Sequence, residues 1–305
     1  MREVFTIDQT NIHLPLLKPM IPRSYPKPFD SESHIFQIKW DGIRYLAYVE
    51  DGRIRLLNRQ LRERSYLYPE MRELSQAISS PAILDGEMIA LHQGKPSFPH
   101  IIKRESRNRP SVEIPIIYMV FDILWLKNAN LVNLPLEKRQ AILETELRPS
   151  GHVRVTDSFP VHGKALYAAA EKQGLEGIVA KHKLSPYLPG VRSDKWLKIK
   201  CWREIDLYIG GFTVKDGRIT SLLAGIPEGG RLRYVGNIAI SQRISHSANQ
   251  LKMLATSHCP FDRPPKFPGF QVVYILPSSK AKVKFLEWTP GGKLRAARLV
   301  DIIPT

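Results

Sequence analysis

Apolar and polar residues alternate through much of this chain, and a period of two predicts strands. Residues 35–38 and 44–50 predict two of them, and 53–58 joins the second as a hairpin across Asp51-Gly52. An Asp-Gly pair between two β-rich runs favours a hairpin because both residues tolerate positive φ. Residues 82–91, 114–125, 177–181 and 196–200 predict four further strands, with Asp85 and Asp122 inside the first two of these. Helical spacing takes over at 70–78, 135–147 and 162–173. Pro135 suits a first helical position, where no N–H donor is needed, and Gly174 suits a left-handed cap. Residues 98–112 are polar and basic and predict a loop or a short helix. The opening 34 residues, with Pro15, Pro19, Pro22, Pro26 and Pro28, predict an extended wrap and not a helix.

After Cys201 the pattern changes. Three strands are expected at 205–214, 218–226 and 232–240, then one helix at 244–257. A proline-rich link leads to strands at 271–276, 282–288 and 294–300. Three strands, a helix and further strands in so short a stretch suit a small barrel of the OB type. The expected fold class is therefore α+β: mainly antiparallel sheets over residues 1–201, followed by an OB-type β-barrel over 202–305.

Composition sharpens this picture at two points. The chain has 305 residues and a formal net charge of +16, an excess that favours a polyanionic partner, nucleic acid first. Residues 202–305 hold 15 basic and 7 acidic side chains, so positive charge is about twice as dense there as in the first 201 residues. An electrostatic clamp on nucleic acid needs such a density. Cys201 and Cys259 are the only cysteines, which excludes a disulfide framework and a four-cysteine zinc site. No apolar run approaches the roughly 18 residues of a membrane span. Asp8, His13 and Lys18 interrupt any signal-peptide core. An intracellular protein is expected.

The chemistry centres on Lys39, between Ile38 and Trp40 and ahead of Asp41, Gly42 and Arg44. It falls near a strand end, where a side chain can face a cleft. A lysine partly desolvated among other cations loses its proton more readily, and a neutral amine is a nucleophile. Lys198 and Lys200 lie two apart on a strand and so share a face. Side by side they repel unless an anion sits between them, and phosphate is the usual one. Asp85-Gly86-Glu87, Phe121-Asp122 and Glu176-Gly177-Ile178-Val179-Ala180-Lys181 complete the set.

In order and spacing these stretches resemble the nucleotidyltransferase superfamily of ATP-dependent DNA ligases, RNA ligases and mRNA capping enzymes. Lys39-Trp40-Asp41-Gly42-Ile43-Arg44 matches the adenylation motif K-x-D-G-x-R, and Asn58-Arg59 the arginine after the hairpin. Leu84-Asp85-Gly86-Glu87, Glu176-Gly177-Ile178-Val179 and Trp196–Lys200 match three further motifs. Lys18-Pro19-Met20, Pro135-Leu136 with Arg139, and Ser185-Pro186-Tyr187 with Gly190, Arg192 and Ser193 resemble DNA ligases, above all the ligase module of bacterial end-joining ligase D.

The resemblance implies an adenylyltransferase domain over 1–201 and ATP as cofactor with Mg²⁺ or Mn²⁺. Lys39 would be the nucleophile, with Lys198, Lys200 and Arg44 as catalytic partners. Gln37, Ile38, Lys39, Arg44, Arg59, Glu87, Phe121, Lys198 and Lys200 would bind the nucleotide, and Glu176 and Asp41 the metal. In that scheme Phe121 stacks on adenine and Glu87 meets the ribose. The implied partners are nicked or broken duplex DNA and a Ku-like end-binding protein, with no membrane. The expected protein is a monomer in the cytoplasm, associated with the nucleoid. Two departures stand out. Gln37 occupies a position where many relatives carry Glu, and the arginine-rich C-terminal motif is compressed into residues 294–301. An RNA ligase, a GTP-using capping guanylyltransferase and a DNA-binding module without catalysis are the alternatives.

Overall fold

A computed structural model of the chain describes residues 14–303, except Asp51, Asn108 and residues 242–244; the side chains of residues 245–247 are likewise not described. Part of the expected wrap, Asp51 of the hairpin turn and the first residue of the expected 244–257 helix lie outside the described residues. The chain divides into two compact units, Met1–Cys201 and Trp202–Thr305.

The first unit is built on two sheets. In chain order its elements are β1 (Ile21–Ser24), β2 (Ser31–Ile38), β3 (Ile43–Glu50), β4 (Arg53–Asn58), α1 (Leu74–Ala77), β5 (Ala82–His92), β6 (Lys95–Pro96), α2 (Phe98–Glu105), β7 (Ile116–Leu126), β8 (Ala129–Asn130), α3 (Leu136–Glu146), β9 (Val153–Val155), β10 (Phe159–Val161), α4 (Gly163–Lys172), β11 (Gly177–His182) and β12 (Arg192–Lys200). One sheet has the order β1-β12-β11-β2-β10, the other β4-β3-β5-β7-β8 with β6 on β5 and β9 on β7. All pairs are antiparallel except β1 with β12 and β7 with β9.

Strand periodicity sorts the apolar residues into three layers. Tyr45, Ala47, Leu84 and Tyr118 face a cluster completed by Leu67, Met71, Leu74, Ile101 and Leu143 from the helical segments. The opposite faces of β3 and β5 give Leu46, Tyr48 and Ile83, which pack with Trp196 of β12, Tyr187, Met20 and Ile35 of β2. That cluster therefore lies between the two sheets. Beyond it, Phe36, Ile178 and Ile199 pack with Leu166, Tyr167 and Ala170 of α4.

Several expected boundaries shift, each for a local reason. The helix expected at 70–78 is a 3₁₀ turn, Pro69–Glu73, followed by the single turn α1. Residues 98–105 form the helix α2, which carries the buried Arg104. Pro135 lies outside its helix with ψ 144°, and its carbonyl accepts from Lys138 and Arg139, so it caps α3 and is not its first residue. Gly174 takes φ +70°, the left-handed cap that its side-chain-free backbone permits. Residues 21–24 and 31–34 belong to sheet strands and not to a loose wrap.

The second unit is an OB-type barrel. Its elements are β13 (Arg203–Lys215), β14 (Arg218–Glu228), β15 (Arg231–Ala239), α5 (Ser245–Gln250), β16 (Ala255–Thr256), β17 (Gln271–Ile275), β18 (Lys280–Phe285), β19 (Glu287–Trp288), β20 (Leu294–Arg295) and β21 (Arg298–Ile303). The long β13 pairs with β18 over Arg203–Tyr208 and with β17 over Gly211–Val214, so it bends between two partners. Gly211 stands at that switch, where a Cβ would lie 2.6 Å from the Val273 carbonyl oxygen. Glycine permits this close approach of backbones. The expected helix to 257 stops early because Ala255 and Thr256 pair with β17. The strand expected at 294–300 is broken at Ala296, whose φ is +57°. No helix among the described residues is long and apolar enough to cross a membrane.

Candidate active site

The two sheets of the first unit set the candidate site by register. Opposite residues of an antiparallel pair carry their side chains on the same face. Gln37 of β2, Val179 of β11 and Lys198 of β12 are paired in one row. Ile35, Lys181 and Trp196 form the row beside it, and Ile35 and Trp196 belong to the cluster between the sheets. On the far side the Lys39 N–H donates to the Gly177 carbonyl at 2.9 Å, and Gly177 is paired with Lys200. The face that is apolar at Ile35 and Trp196 thus turns cationic toward Lys39, Lys198 and Lys200. Gly177 makes this possible: at φ +146° a Cβ would sit 2.1 Å from the Ile199 carbonyl oxygen.

Glu176, just ahead of β11, ties the cations together. Its Oε2 pairs with Lys39 Nζ, and its Oε1 lies 2.6 Å from Lys200 Nζ. Burial opposes ionisation of this carboxyl, yet Lys39 and Lys200 outweigh burial and hold it below the usual carboxylate range. Burial together with Lys39, Lys200 and Arg192 pushes Lys198 down from the ordinary lysine value.

The facing sheet contributes Arg44 and Glu87, paired across β3 and β5. Arg44 lies on the same face of β3 as Leu46 and Tyr48, and Glu87 on the same face of β5 as Ile83 and Asp85. Arg44 donates to both oxygens of the fully buried Asp85, at 2.9 and 2.5 Å, and to the Met20 carbonyl at 2.6 Å. Tyr187 adds a third donor to Asp85 at 2.6 Å. Asp85 is thereby spent on fixing Arg44. Burial raises the Glu87 pKa to about 7, although Lys39 and Arg44 pull it the other way.

Phe121 occupies a bulge in β7. Val120 pairs with Gly86 and Asp122 with Asp85, so Phe121 has no partner on β5. A bulged residue is free to turn its side chain away from the ladder. Its ring carries Lys181 Nζ at 4.3 Å and the Arg44 guanidinium at 5.2 Å from the centroid. Asp122 belongs to the framework. It holds Arg139 of α3 through two hydrogen bonds of 2.8 and 3.0 Å, with both side chains buried.

The remaining expected residues fall differently. The Ile38 side chain packs with the Phe36 and Ile178 cluster on the other face of its sheet, which leaves only its backbone toward the site. Asp41 is half-buried in the β2–β3 turn, and Arg59 is exposed just after β4. Sequence reasoning gave Lys181 no role of its own and passed over Gln140 and Ser158. Lys181 is buried against Phe121 and Trp196, and burial lowers its pKa to about 7, with Asp122 and Asp85 opposing. The signal for Gln140 is its spacing: with Leu136, Arg139 and Leu143 it lines the buried face of α3, where a polar residue needs a partner.

Residues 19–200 match the family model of the ATP dependent DNA ligase domain, and residues 215–303 that of the ATP dependent DNA ligase C terminal region. The chain belongs to the ATP-dependent DNA ligases. This ligase chain is 34% identical over 270 residues to the multifunctional non-homologous end joining protein LigD of Mycobacterium bovis, which covers 85% of the chain and 35% of that protein. It is 32% identical over 219 residues to a DNA ligase of Archaeoglobus fulgidus, covering 66% of the chain and 39% of that protein. The chain thus spans about a third of the length of the LigD proteins it matches. The solved structure of a mycobacterial DNA ligase D complexed with ATP and MES superposes with a TM-score of 0.58 at 30% identity, over 94% of this chain and 95% of that one. The α+β fold class with an OB-type C-terminal part, the ligase family and the kinship to ligase D are as the sequence predicts. Membership of the family implies use of ATP.

Proposed function

We propose that this chain seals breaks in duplex DNA that carry a 3′-hydroxyl and a 5′-phosphate, through a lysyl–AMP at Lys39. The observation that carries the reading is Lys39 sharing the Glu176 carboxylate with Lys200, on the sheet face that also bears Gln37 and Lys198. The residues present fit an adenine nucleotide. The cations suit its phosphates, Phe121 offers a ring to its base, and Gln37 Oε1 is a buried acceptor with no partner among the described residues.

In the first step Lys39 Nζ attacks the α-phosphorus of ATP. An N–P bond forms, the bond to pyrophosphate breaks, and the electron pair leaves with pyrophosphate. Lys39 then yields the AMP to a DNA 5′-phosphate, and the 3′-hydroxyl finally displaces AMP as the phosphodiester forms. Phosphoryl transfer asks little covalent work of the protein beyond the nucleophile, so positioning and charge stabilisation carry the rate. Glu176 holds Nζ in place, Lys198 and Lys200 take the α-phosphate, and Arg44 and Arg59 meet phosphate or ribose. Glu87 binds the ribose hydroxyls.

Glu176 and Asp41 would be the carboxylates that hold Mg²⁺ or Mn²⁺. Among the described residues no group of three or more His, Cys, Asp or Glu could hold a metal alone. A hard cation that completes its shell with water and nucleotide phosphates suits so few ligands, and when bound it offsets phosphate charge. The names of the end-joining relatives support a role in DNA end joining; a Ku-like partner and a cytoplasmic monomer at the nucleoid belong to the same proposal. Sealing assays on nicked DNA and nicked RNA, each with ATP and with GTP, test the reading. DNA sealed with ATP is expected; sealing confined to RNA, or dependent on GTP, would overturn it.

A further inference from the structure

Gln37 is an amide and not a carboxylate, which creates an ambiguity. A carboxylate can only accept a hydrogen bond, whereas an amide accepts on one side and donates on the other. Turned one way, Gln37 suits the exocyclic amine of adenine; turned the other, it suits the carbonyl that guanine carries at the same position. The hydrogen bonds around it remove the ambiguity, and their direction can be traced from a group that has none.

The Phe121 carbonyl can only accept. It takes a hydrogen bond from Gln140 Nε2 at 2.8 Å, so the oxygen of the Gln140 amide faces the other way. That oxygen, Oε1, accepts from Gln37 Nε2 at 3.1 Å and from the Ser158 hydroxyl at 3.2 Å. The Ser158 oxygen in turn accepts from Gln37 Nε2 at 2.8 Å. The nitrogen of the Gln37 amide is thereby held toward Gln140 and Ser158. Its Oε1 remains, buried and without a partner among the described residues, on a residue that is 1% exposed. An unpaired buried acceptor is costly unless something donates to it.

We propose that Gln140 and Ser158 are positioning residues that set the base preference of the nucleotide site, by locking Gln37 as an acceptor. A base with an amino group completes the unpaired oxygen; one with a carbonyl there places two acceptors together. The inference rests on the nucleotide reading of the site given above, and it assigns the preference to α3 and the segment before β10 as much as to Gln37 itself.

The test is calorimetric binding of the α,β-methylene analogues of ATP and GTP, whose α,β linkage Lys39 cannot break. The chain is compared with Gln140→Leu, Ser158→Ala, Gln37→Glu and the Gln37→Glu/Gln140→Leu pair, each shown folded by circular dichroism. The chain itself should prefer the adenine analogue. Gln140→Leu should reduce that preference about tenfold or more, in part by tightening the guanine analogue, since the freed amide can turn. Ser158→Ala should reduce it less, because Gln140 still accepts from Gln37. In the Gln37→Glu background, where no amide can turn, Gln140→Leu should leave the preference unchanged. An undiminished preference in Gln140→Leu would overturn the proposal. So would an equal loss in both backgrounds, which would make Gln140 a structural support only. Binding of neither analogue by the chain itself would overturn the nucleotide reading and this inference with it.

Discussion

Lys39 Nζ is ion-paired with Glu176 Oε2, across 137 positions of sequence, and the second oxygen of the same carboxylate holds Lys200. One buried acid thus sets the spacing of two cations that would otherwise repel. Replacing it by an isosteric amide keeps the shape and removes the charge. Glu176→Gln should slow lysyl–AMP formation by about 10²-fold, read by single-turnover transfer of AMP to the chain. A normal rate would separate Glu176 from the chemistry.

Asp122 lies within two residues of several site side chains in the strand pairing, yet its hydrogen bonds bind only the framework. Removing one partner of a buried pair leaves the other charge uncompensated. Asp122→Ala should therefore destabilise the chain by about 3–5 kcal/mol in a denaturant melt. Arg59→Ala, on an exposed side chain, should change stability by less than about 0.5 kcal/mol.

Glu87 and Lys181 give stability a pH dependence of opposite sign on either side of neutrality. The Glu87 pKa stands raised from an ordinary 4.5 to about 7, so between these values the folded chain holds a proton that the unfolded chain has lost. Stability from this group falls as pH rises through that window. The Lys181 pKa stands lowered from 10.5 to about 7, so above pH 7 the unfolded chain holds the extra proton, and stability rises with pH. Each slope is at most about 1.4 kcal/mol per pH unit. Glu87→Gln should flatten the lower limb of the stability curve relative to the parent chain, and Lys181→Met the upper. A variant curve parallel to the parent in its own window would contradict the assignment.

Much of this is legible in the sequence. The β3–β4 hairpin, the strand end at Lys39 and the paired lysines of β12 follow from period-two patterning, which local sequence carries. What was not readable depends on partners distant in sequence. The parallel pairing of β1 with β12 joins residues about 170 positions apart, and nothing in Ile21–Ser24 announces it. Gln140 and Lys181 are polar residues at buried positions of otherwise regular elements. Their importance comes from what faces them, Phe121 in both cases, and a single strand or helix does not show its neighbour. Ala296 and its positive φ divide a run that reads as one strand, because alanine gives no warning of a left-handed backbone.

The charge of the chain predicts its response to salt. With +16 formal charges, about half of them on the residues of the barrel, binding to nicked duplex DNA should weaken steeply as salt rises. The slope of log affinity against log salt, from fluorescence anisotropy, reports the number of phosphates neutralised. A slope near zero would remove the electrostatic contribution.

If Lys39 is the nucleophile, intact-protein mass spectrometry after incubation with ATP and Mg²⁺ will show it. The chain should gain the mass of one AMP, the modified peptide should contain Lys39, and Lys39→Ala should gain nothing. An AMP still carried by Lys39→Ala would contradict the account.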